Sequence, residues 1–349
     1  MSKFFYKDKP IIGLDISLTS LKLMSIDTKR WNVLGYSSVD VDPNKLQQSM
    51  SGDGAYLKEM LIELKRGVVG SLNSDHTVMG IPAIKTFARS IELPSDIKGE
   101  LKDAVELEAE QYIPVPISQL YIDYEVTGRS EKAISIMMCA VPQRLIDTCT
   151  EAAQEAGFRV TMVEPGMNAA ARLLKVTENG DLPSVIVDIG AATTDVAVLD
   201  GSVKVTGGVP VGGNTFTIDI SKKLKVPLEA AHQLKVVNGL NVGPRQDKIK
   251  AALDPNLKKI SDEIKKIIRY YNERLADNKK IEQVLIVGGG SNIPGIGDYF
   301  TNSLVIAARV ASPWQALHFD KLQQPARQFL SRYITVAGLA SVNYKDIWK

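Results

Sequence analysis

Val185-Ile186-Val187-Asp188-Ile189-Gly190-Ala191-Ala192-Thr193-Thr194-Asp195-Val196-Ala197-Val198 is a β-branched run that ends in an aspartate, turns over small and hydroxyl-bearing residues, and resumes as an alternating run. That is the pattern of a β-hairpin whose tip carries Asp and Ser/Thr. The pattern stands a second time near the start, in Ile11-Ile12-Gly13-Leu14-Asp15-Ile16-Ser17-Leu18-Thr19-Ser20-Leu21-Lys22-Leu23. The two aspartates lie 188 − 15 = 173 positions apart, about half of the 349-residue chain. An internal duplication is the economical account, and it predicts two α/β lobes with a cleft between them.

Two glycine-rich elements follow. Val284-Leu285-Ile286-Val287 runs into Gly288-Gly289-Gly290-Ser291, and Val209-Pro210-Val211 runs into Gly212-Gly213-Asn214 ahead of a helix with apolar Phe216, Ile218, Ile220 and Leu224. Glycine lets backbone approach a ligand closely. Hairpin tips offer N–H groups to an anion, and Ser and Thr hydroxyls add donors. Lys22 supplies a point charge. Aspartates do not bind phosphate, but Asp15 and Asp188 can hold Mg²⁺ through water. Together these parts specify a nucleoside polyphosphate clamped between lobes.

Between the hairpins the texture changes. A strand ends at Pro94, and residues 100–112 predict a helix with Leu101, Ala104, Val105, Ala109 and Tyr112 on one stripe. Over residues 95–113 six acids (Asp96, Glu100, Asp103, Glu106, Glu108, Glu110) stand against Lys98 and Lys102, a net of 2 − 6 = −4, which hints at a partner face. Strands at 120–126 and 133–141, a helix at 143–156 closed by Gly157, and a strand at 159–163 complete a small α+β insert over residues 84–163. Residues 256–276 predict an amphipathic helix with Leu257, Ile260, Ile264, Ile267, Ile268, Tyr271 and Leu275 inward, and residues 49–54 a polar loop.

Composition narrows the class. With 44% hydrophobic and 23% charged residues the chain is ordinarily globular. Lys+Arg minus Asp+Glu is 42 − 40 = +2, which gives no global field for a nucleic acid. Cys139 and Cys149 make no disulfide framework, and His76, His232 and His318 are scattered, so no zinc site is expected. The start, with Lys3, Lys7 and Lys9, breaks at Asp15 and is no signal peptide, and no run approaches the ~18 apolar residues of a membrane span. The expectation is a soluble cytoplasmic protein.

The order of hairpin, insert, hairpin, Gly-Gly and Gly-Gly-Gly resembles the actin-like ATPase superfamily. A narrower resemblance rests on Glu106-Leu107-Glu108-Ala109-Glu110-Gln111-Tyr112-Ile113-Pro114-Val115-Pro116, followed by Ile122-Asp123-Tyr124-Glu125-Val126. With Arg89-Ser90-Ile91-Glu92-Leu93-Pro94, Val163-Glu164-Pro165 and Pro210-Val211-Gly212-Gly213-Asn214, it is similar to the type IV pilus assembly family PilM over residues 10–342.

The resemblance implies an α/β, actin-like (ribonuclease H-like) two-lobed fold with a small α+β insert like the 1C domain of the cell-division protein FtsA. Residues 1–83 and 164–182 would form the first lobe, with a C-terminal helix at 332–344 packing back. The insert at 84–163 would dock a partner, and 183–331 would form the second lobe with a helical part at about 214–280. It implies ATP and Mg²⁺ as cofactors, with Asp15 and Asp188 on metal-bound water. Ser17, Thr19, Ser20 and Lys22 match the first phosphate loop, and Gly190, Thr193 and Thr194 the second. Gly212 and Gly213 would lie by the phosphates, Gly288, Gly289, Gly290 and Ser291 by the adenosine, and Lys235 on the ribose side.

The implied partner is the N-terminal cytoplasmic tail of the inner-membrane protein PilN, with PilO reached indirectly. The pilus ATPase or platform protein and a homo-oligomer are further candidates, membrane contact coming only through partners at the inner face of the cytoplasmic membrane. Ser17 stands where the family usually has Gly, Leu18 where it has Ser or Thr, and His232 where it has Glu. Two lost contacts of about 1.5–3 kcal/mol weaken nucleotide affinity by ~10²-fold or more. Without a residue to orient water, slow hydrolysis or none is expected.

Two other readings stay open here. An FtsA-like filament protein would carry a linker and amphipathic membrane helix, where this sequence stops at residues 344–349 after an apolar helix at 336–342. A sugar kinase would need an Asp base, for which Asp195 and Asp200 are nominees.

Overall fold

In the computed structural model the described residues are 10–82, 86–97, 100–178, 182–243, 246–276, 279–343 and 347. Lys3, Lys7 and Lys9, the boundary between residues 83 and 84, Lys98, and residues 344–346, 348 and 349 lie outside them. The chain divides into two compact units: one takes the residues up to Ala170, Leu317–Gln323 and those from Thr335 on, the other Ala171–Ala316 and Gln324–Ile334.

The first unit opens with the antiparallel meander β1 (Ile12–Ser17), β2 (Ser20–Asp27) and β3 (Asn32–Asp40). Two helices, α1 (Pro43–Ser51) and α2 (Ala55–Arg66), then lead to the short β4 (Val69–Gly70) and to β5 (His76–Ile81), which runs parallel beside β1. Alternation along β1 sends Ile12, Leu14 and Ile16 into a core with Leu46, Leu57 and Leu61 of α1 and α2. The stretch at 49–54 is not a loose loop: Ser49 closes α1, is buried, and its Oγ accepts from Leu57 N–H at 3.0 Å, seating α2.

The insert follows as β6 (Phe87–Pro94), α3 (Leu101–Tyr112), β7 (Leu120–Arg129) and β8 (Ala133–Pro142), an antiparallel sheet of order β6-β8-β7. Val105 and Ala109 of α3 bury against Ile91, Leu93, Ile134, Ile136 and Met138. Tyr112, expected on the same stripe, is exposed, and the Arg89 guanidinium lies 3.8 Å over its ring.

α4 (Gln143–Glu155) and β9 (Arg159–Pro165) depart from the sequence reading, which grouped them with the insert. β9 pairs in parallel with β5, giving the sheet order β4-β3-β2-β1-β5-β9, and Leu145, Cys149, Ala152 and Ala153 of α4 sit in the core beneath that sheet. The apolar stripe of α4 finds its surface on α1, α2, β9 and the end of β8.

After α5 (Gly166–Thr177) the second unit repeats the plan. β10 (Ser184–Ile189), β11 (Thr194–Asp200) and β12 (Ser202–Val209) form an antiparallel meander. α6 (Gly213–Leu224), α7 (Leu228–Val237) and α8 (Gln246–Arg274) come next. β13 (Gln283–Val287) then lies parallel to β10, and α9 (Ile296–Leu304) leads to β14 (Ala307–Val310), parallel to β13. The order β12-β11-β10-β13-β14 matches β3-β2-β1-β5-β9 strand for strand.

α8 begins ten residues before the expected 256 and carries Pro255 inside it, because Ile249 and Leu253 continue the buried stripe of Leu257 and Ile260. On α6, Phe216 and Ile220 are buried while Ile218 faces out. A short α10 (Arg327–Leu330) precedes α11 (Ile334–Ala340), whose Leu339 packs with Ile11, Val78 and Ala169 in the first unit.

Candidate functional site

In the first hairpin the ladder sets Asp15 opposite Lys22 and Ser17 opposite Ser20, leaving Leu18 and Thr19 as the turn. Both charged residues are buried, Asp15 at 7% and Lys22 at 5% exposure. Lys22 Nζ donates to Asp15 Oδ2 at 3.0 Å, and the Ser17 hydroxyl donates to the same oxygen at 2.8 Å. The ammonium read as a phosphate clamp is thus engaged by the aspartate read as a metal-water ligand. Ser17, in the usual glycine position, joins that cluster. Leu18, in a usual hydroxyl position, packs against the core under the sheet. Thr19 accepts Val41 N–H through its carbonyl at 3.1 Å, and Ser20 is buried.

In the second hairpin the position equivalent to Lys22 is an acid, because the register sets Asp188 opposite Asp195. Burial and the Asp188 charge push the Asp195 carboxyl up to about 7. The sequence reading passed over Asp195 as a member of this site. Equal spacing is the signal that finds it: 22 − 15 = 7 in one hairpin and 195 − 188 = 7 in the other.

The turn is bolted to the start of α6. Gly213 N–H donates to Gly190 O at 2.9 Å and Asn214 N–H to Ala191 O at 2.9 Å, while Gly190 N–H donates to Thr193 O at 2.9 Å. The Thr194 hydroxyl, fully buried, donates to Val211 O at 2.8 Å and so holds the strand that leads to Gly212. Thr193 keeps a partly exposed side chain at the tip.

Lys235 of α7 reaches this junction. Its Nζ donates to Gly213 O at 2.7 Å and to Thr217 Oγ1 at 2.8 Å, and the residue is 6% exposed. Both partners are neutral oxygens, and no ion pair to Lys235 occurs among the described residues. Desolvation accordingly lowers its pKa to about 8. Burial and the Lys235 charge also lower the pKa of His232, one turn back.

The triple glycine meets the same hairpin. β13 pairs with β10 so that Val287 stands opposite Asp188. Gly288 has φ +81°, and a Cβ there would run into Asp188 Oδ1, so only glycine brings this turn against the aspartate. The Ser291 hydroxyl, expected at the adenosine, donates to Gly288 O at 2.7 Å and stabilises the turn itself. The C-terminal end of α7 joins in through Leu240 N–H to Pro294 O at 2.8 Å. The second unit therefore gathers Asp188, Gly190, Thr193, Thr194, Gly212, Gly213, Lys235 and Gly288–Ser291, while Asp15, Ser17, Thr19, Ser20 and Lys22 form the hairpin of the first.

Two observations fit a metal-bound polyanion: a buried ammonium whose hydrogen-bond partners are neutral oxygens, and two carboxylates, Asp188 and Asp195, set opposite each other across the strands. No group of three or more His, Cys, Asp or Glu able to hold a metal directly occurs among the described residues. Mg²⁺ keeps several of its waters, so Asp188 and Asp195 would hold it through them.

A family model described as "Type IV pilus assembly protein PilM" matches residues 13–343. Among solved structures, the PilM-PilN type IV pilus biogenesis complex superposes with TM-score 0.75 at 22% identity, covering 95% of this chain and 98% of that chain. MreB5 of Spiroplasma citri bound to ADP superposes with TM-score 0.54 at 16% identity, covering 98% of each chain. Cell division protein FtsA of Borreliella burgdorferi is 24% identical over 327 residues, 87% of this chain and 70% of that protein. The chain spans 41% and 49% of the length of two further FtsA proteins that it matches. The fold is the actin-like α/β fold. No helix among the described residues is long and apolar enough to cross a membrane.

Proposed function

The chain belongs to the type IV pilus assembly protein PilM family, and from that premise we propose that it is an ATP-binding adapter that holds the N-terminal cytoplasmic tail of PilN. The observation that carries the nucleotide half is Lys235, an ammonium buried beside Gly213 with only neutral oxygens as partners. A buried charge without a counter-charge is costly. A phosphate oxygen supplies the missing negative charge, with Thr193 at the hairpin tip as a further donor. Mg²⁺, when bound, neutralises the polyphosphate, and Asp188 with Asp195 would hold it through water.

In the other unit Asp15, Ser17 and Lys22 act as one cluster that braces the Leu18–Thr19 turn. Gly288–Ser291 borders the adenosine. Turnover of the nucleotide slower than ~1 s⁻¹ is expected, ATP acting chiefly as a ligand that stabilises the folded chain.

The partner half rests on the family and on the insert. α3 carries exposed Leu107 and Tyr112 among Glu106, Glu108 and Glu110. Leu107 shares its side of α3 with Glu106 and Glu110, which suits a peptide with an apolar anchor and basic flanks. Through PilN the protein would sit at the inner face of the cytoplasmic membrane and link PilN and PilO to the motor side.

Fluorescence anisotropy of a labelled N-terminal peptide from the PilN of the same genome tests the reading. Saturable binding that a scrambled peptide does not reproduce is expected. No binding, together with robust sedimentation of the protein on liposomes, would transfer support to an FtsA-like role.

A further inference from the structure

The outer side of α6 mixes aliphatic and cationic side chains. Phe216 and Ile220 are buried, while Ile218, Lys222 and Lys225 follow one another at i, i+4 and i+7 on the opposite side. Ile218 is 41% exposed, and Leu228, three residues beyond Lys225 at the start of α7, is 56% exposed. Lys223 is exposed too, and residues 220–228 hold three lysines and no acid.

The basic surface continues onto α8. Asn256 Nδ2 donates to Asp219 Oδ2 at 2.6 Å, and Lys259 Nζ donates to Asn256 Oδ1 at 3.0 Å. The acid of α6 is thereby taken up at the junction, and Lys259 is joined to the turn of α6 that leads to Lys222. Lys258, Lys265 and Arg269 are exposed on the side of α8 away from buried Leu257, Ile260, Ile264 and Ile267. Glu263 is paired with Lys266 at 3.2 Å. Over residues 218–229 and 256–269 eight Lys and Arg stand against four acids, a net of 8 − 4 = +4, where the whole chain carries only +2.

Lysine is a compact charge on an apolar stem, and the stem can lie along acyl chains while the ammonium stays at the headgroup phosphates. Four to eight such cations attract an anionic bilayer, and aliphatic side chains among them add a shallow anchor. Nucleic acid is read by arginine forks and aromatic platforms. Here the cations are mostly lysine, and Ile218 and Leu228 are aliphatic. We propose that the α6–α8 face docks directly on an anionic lipid bilayer. This contact goes beyond the one expected through PilN and needs neither peptide nor nucleotide. A solvated helix face is the competing explanation, and it leaves the chain in solution whatever the lipid.

Sedimentation of the full chain, without PilN or nucleotide, separates the two. One set of vesicles is phosphatidylcholine alone, and the other contains about a quarter phosphatidylglycerol. The chain binds the anionic vesicles and not the neutral ones, and salt at ~0.5 M releases it. Lys222→Glu with Lys225→Glu lowers partitioning at least ~10-fold, since each lysine near the surface contributes about fivefold. Ile218→Ser with Leu228→Ser keeps every charge and lowers partitioning about threefold or more. Lys222→Arg with Lys225→Arg retains binding and guards against a folding artefact in the glutamate variant. Equal behaviour on both kinds of vesicle, binding that neither loss variant weakens, or binding weakened only by the glutamate variant overturns the proposal. The last of these would assign the face to a polyanion such as a DNA duplex. All variants keep their affinity for the PilN peptide, so failure here leaves the adapter reading standing.

Discussion

The same hairpin position holds Lys22 in one unit and Asp195 in the other, and the two choices have opposite consequences. Asp15 and Lys22 are buried as an ion pair. Removing one partner of such a pair costs about 3–5 kcal/mol, because the other charge stays buried alone. Lys22→Met should therefore lower unfolding stability by that amount in a urea titration, and Asp15→Asn combined with Lys22→Met should recover much of it. A loss under ~1 kcal/mol for the single variant would show that the pair is not structural. Asp195 and Lys235 set a pH window. The Asp195 pKa, about 7, lies above its ordinary 3.8, so its contribution to stability is full below about pH 4 and lost as pH rises through 7. If Asp195 helps hold Mg²⁺ through water, metal affinity should rise as that proton is lost through pH 7. The Lys235 pKa, about 8, lies below its ordinary 10.5, so stability rises with pH between those values, while affinity for a polyanion falls above 8. Calorimetry at pH 6, 7.5 and 9 should find MgATP bound most tightly at 7.5. At that pH Lys235→Met should raise the melting temperature of the free protein and weaken ATP at least tenfold. The aspartates are legible in the sequence because alternation brings each strand to its turn. The partner of Lys22 is not, because a lysine beside a phosphate loop reads as a ligand until the ladder sets Asp15 across from it.

At the scale of elements, what sequence pattern resolves is type, and what it leaves open is which sheet an element joins. The run of residues 84–163 reads as one strand-helix-strand-strand-helix-strand unit, yet α4 and β9 build the first sheet and its core. A deletion follows from this. Phe87 pairs with Ala140, so the two ends of the insert lie one strand spacing apart, about 4.8 Å. Joining residue 86 to residue 142 through a short Gly-Ser linker should leave a cooperatively melting protein that binds ATP and not the PilN peptide. Deleting 84–163 removes β9 from the sheet edge and should give no cooperative thermal transition. A folded product from the longer deletion would contradict the assignment of β9. Pro255 misled in a similar way. Proline inside a helix costs about 3 kcal/mol. Burial of Ile249, Leu253, Leu257 and Ile260, at roughly 1.5–3 kcal/mol each, outweighs it and carries α8 through.

At the scale of the whole molecule, one plan used twice gives two sheets with the same strand order, each ending β1 or β10 in an aspartate beside a turn. The duplication was readable because hairpin, spacing and glycine turns recur in order. The asymmetry was not, since it lies in cross-strand partners: Lys22 opposite Asp15 in one hairpin, Asp195 opposite Asp188 in the other. The proposed function stands on MgATP engaging the hairpin and the glycine turn of the second unit. Hydrogen–deuterium exchange with and without MgATP measures this directly. It should slow exchange together at residues 190–194 and 288–292, with one shared dependence on nucleotide concentration. Exchange unchanged at both segments at saturating MgATP would contradict it.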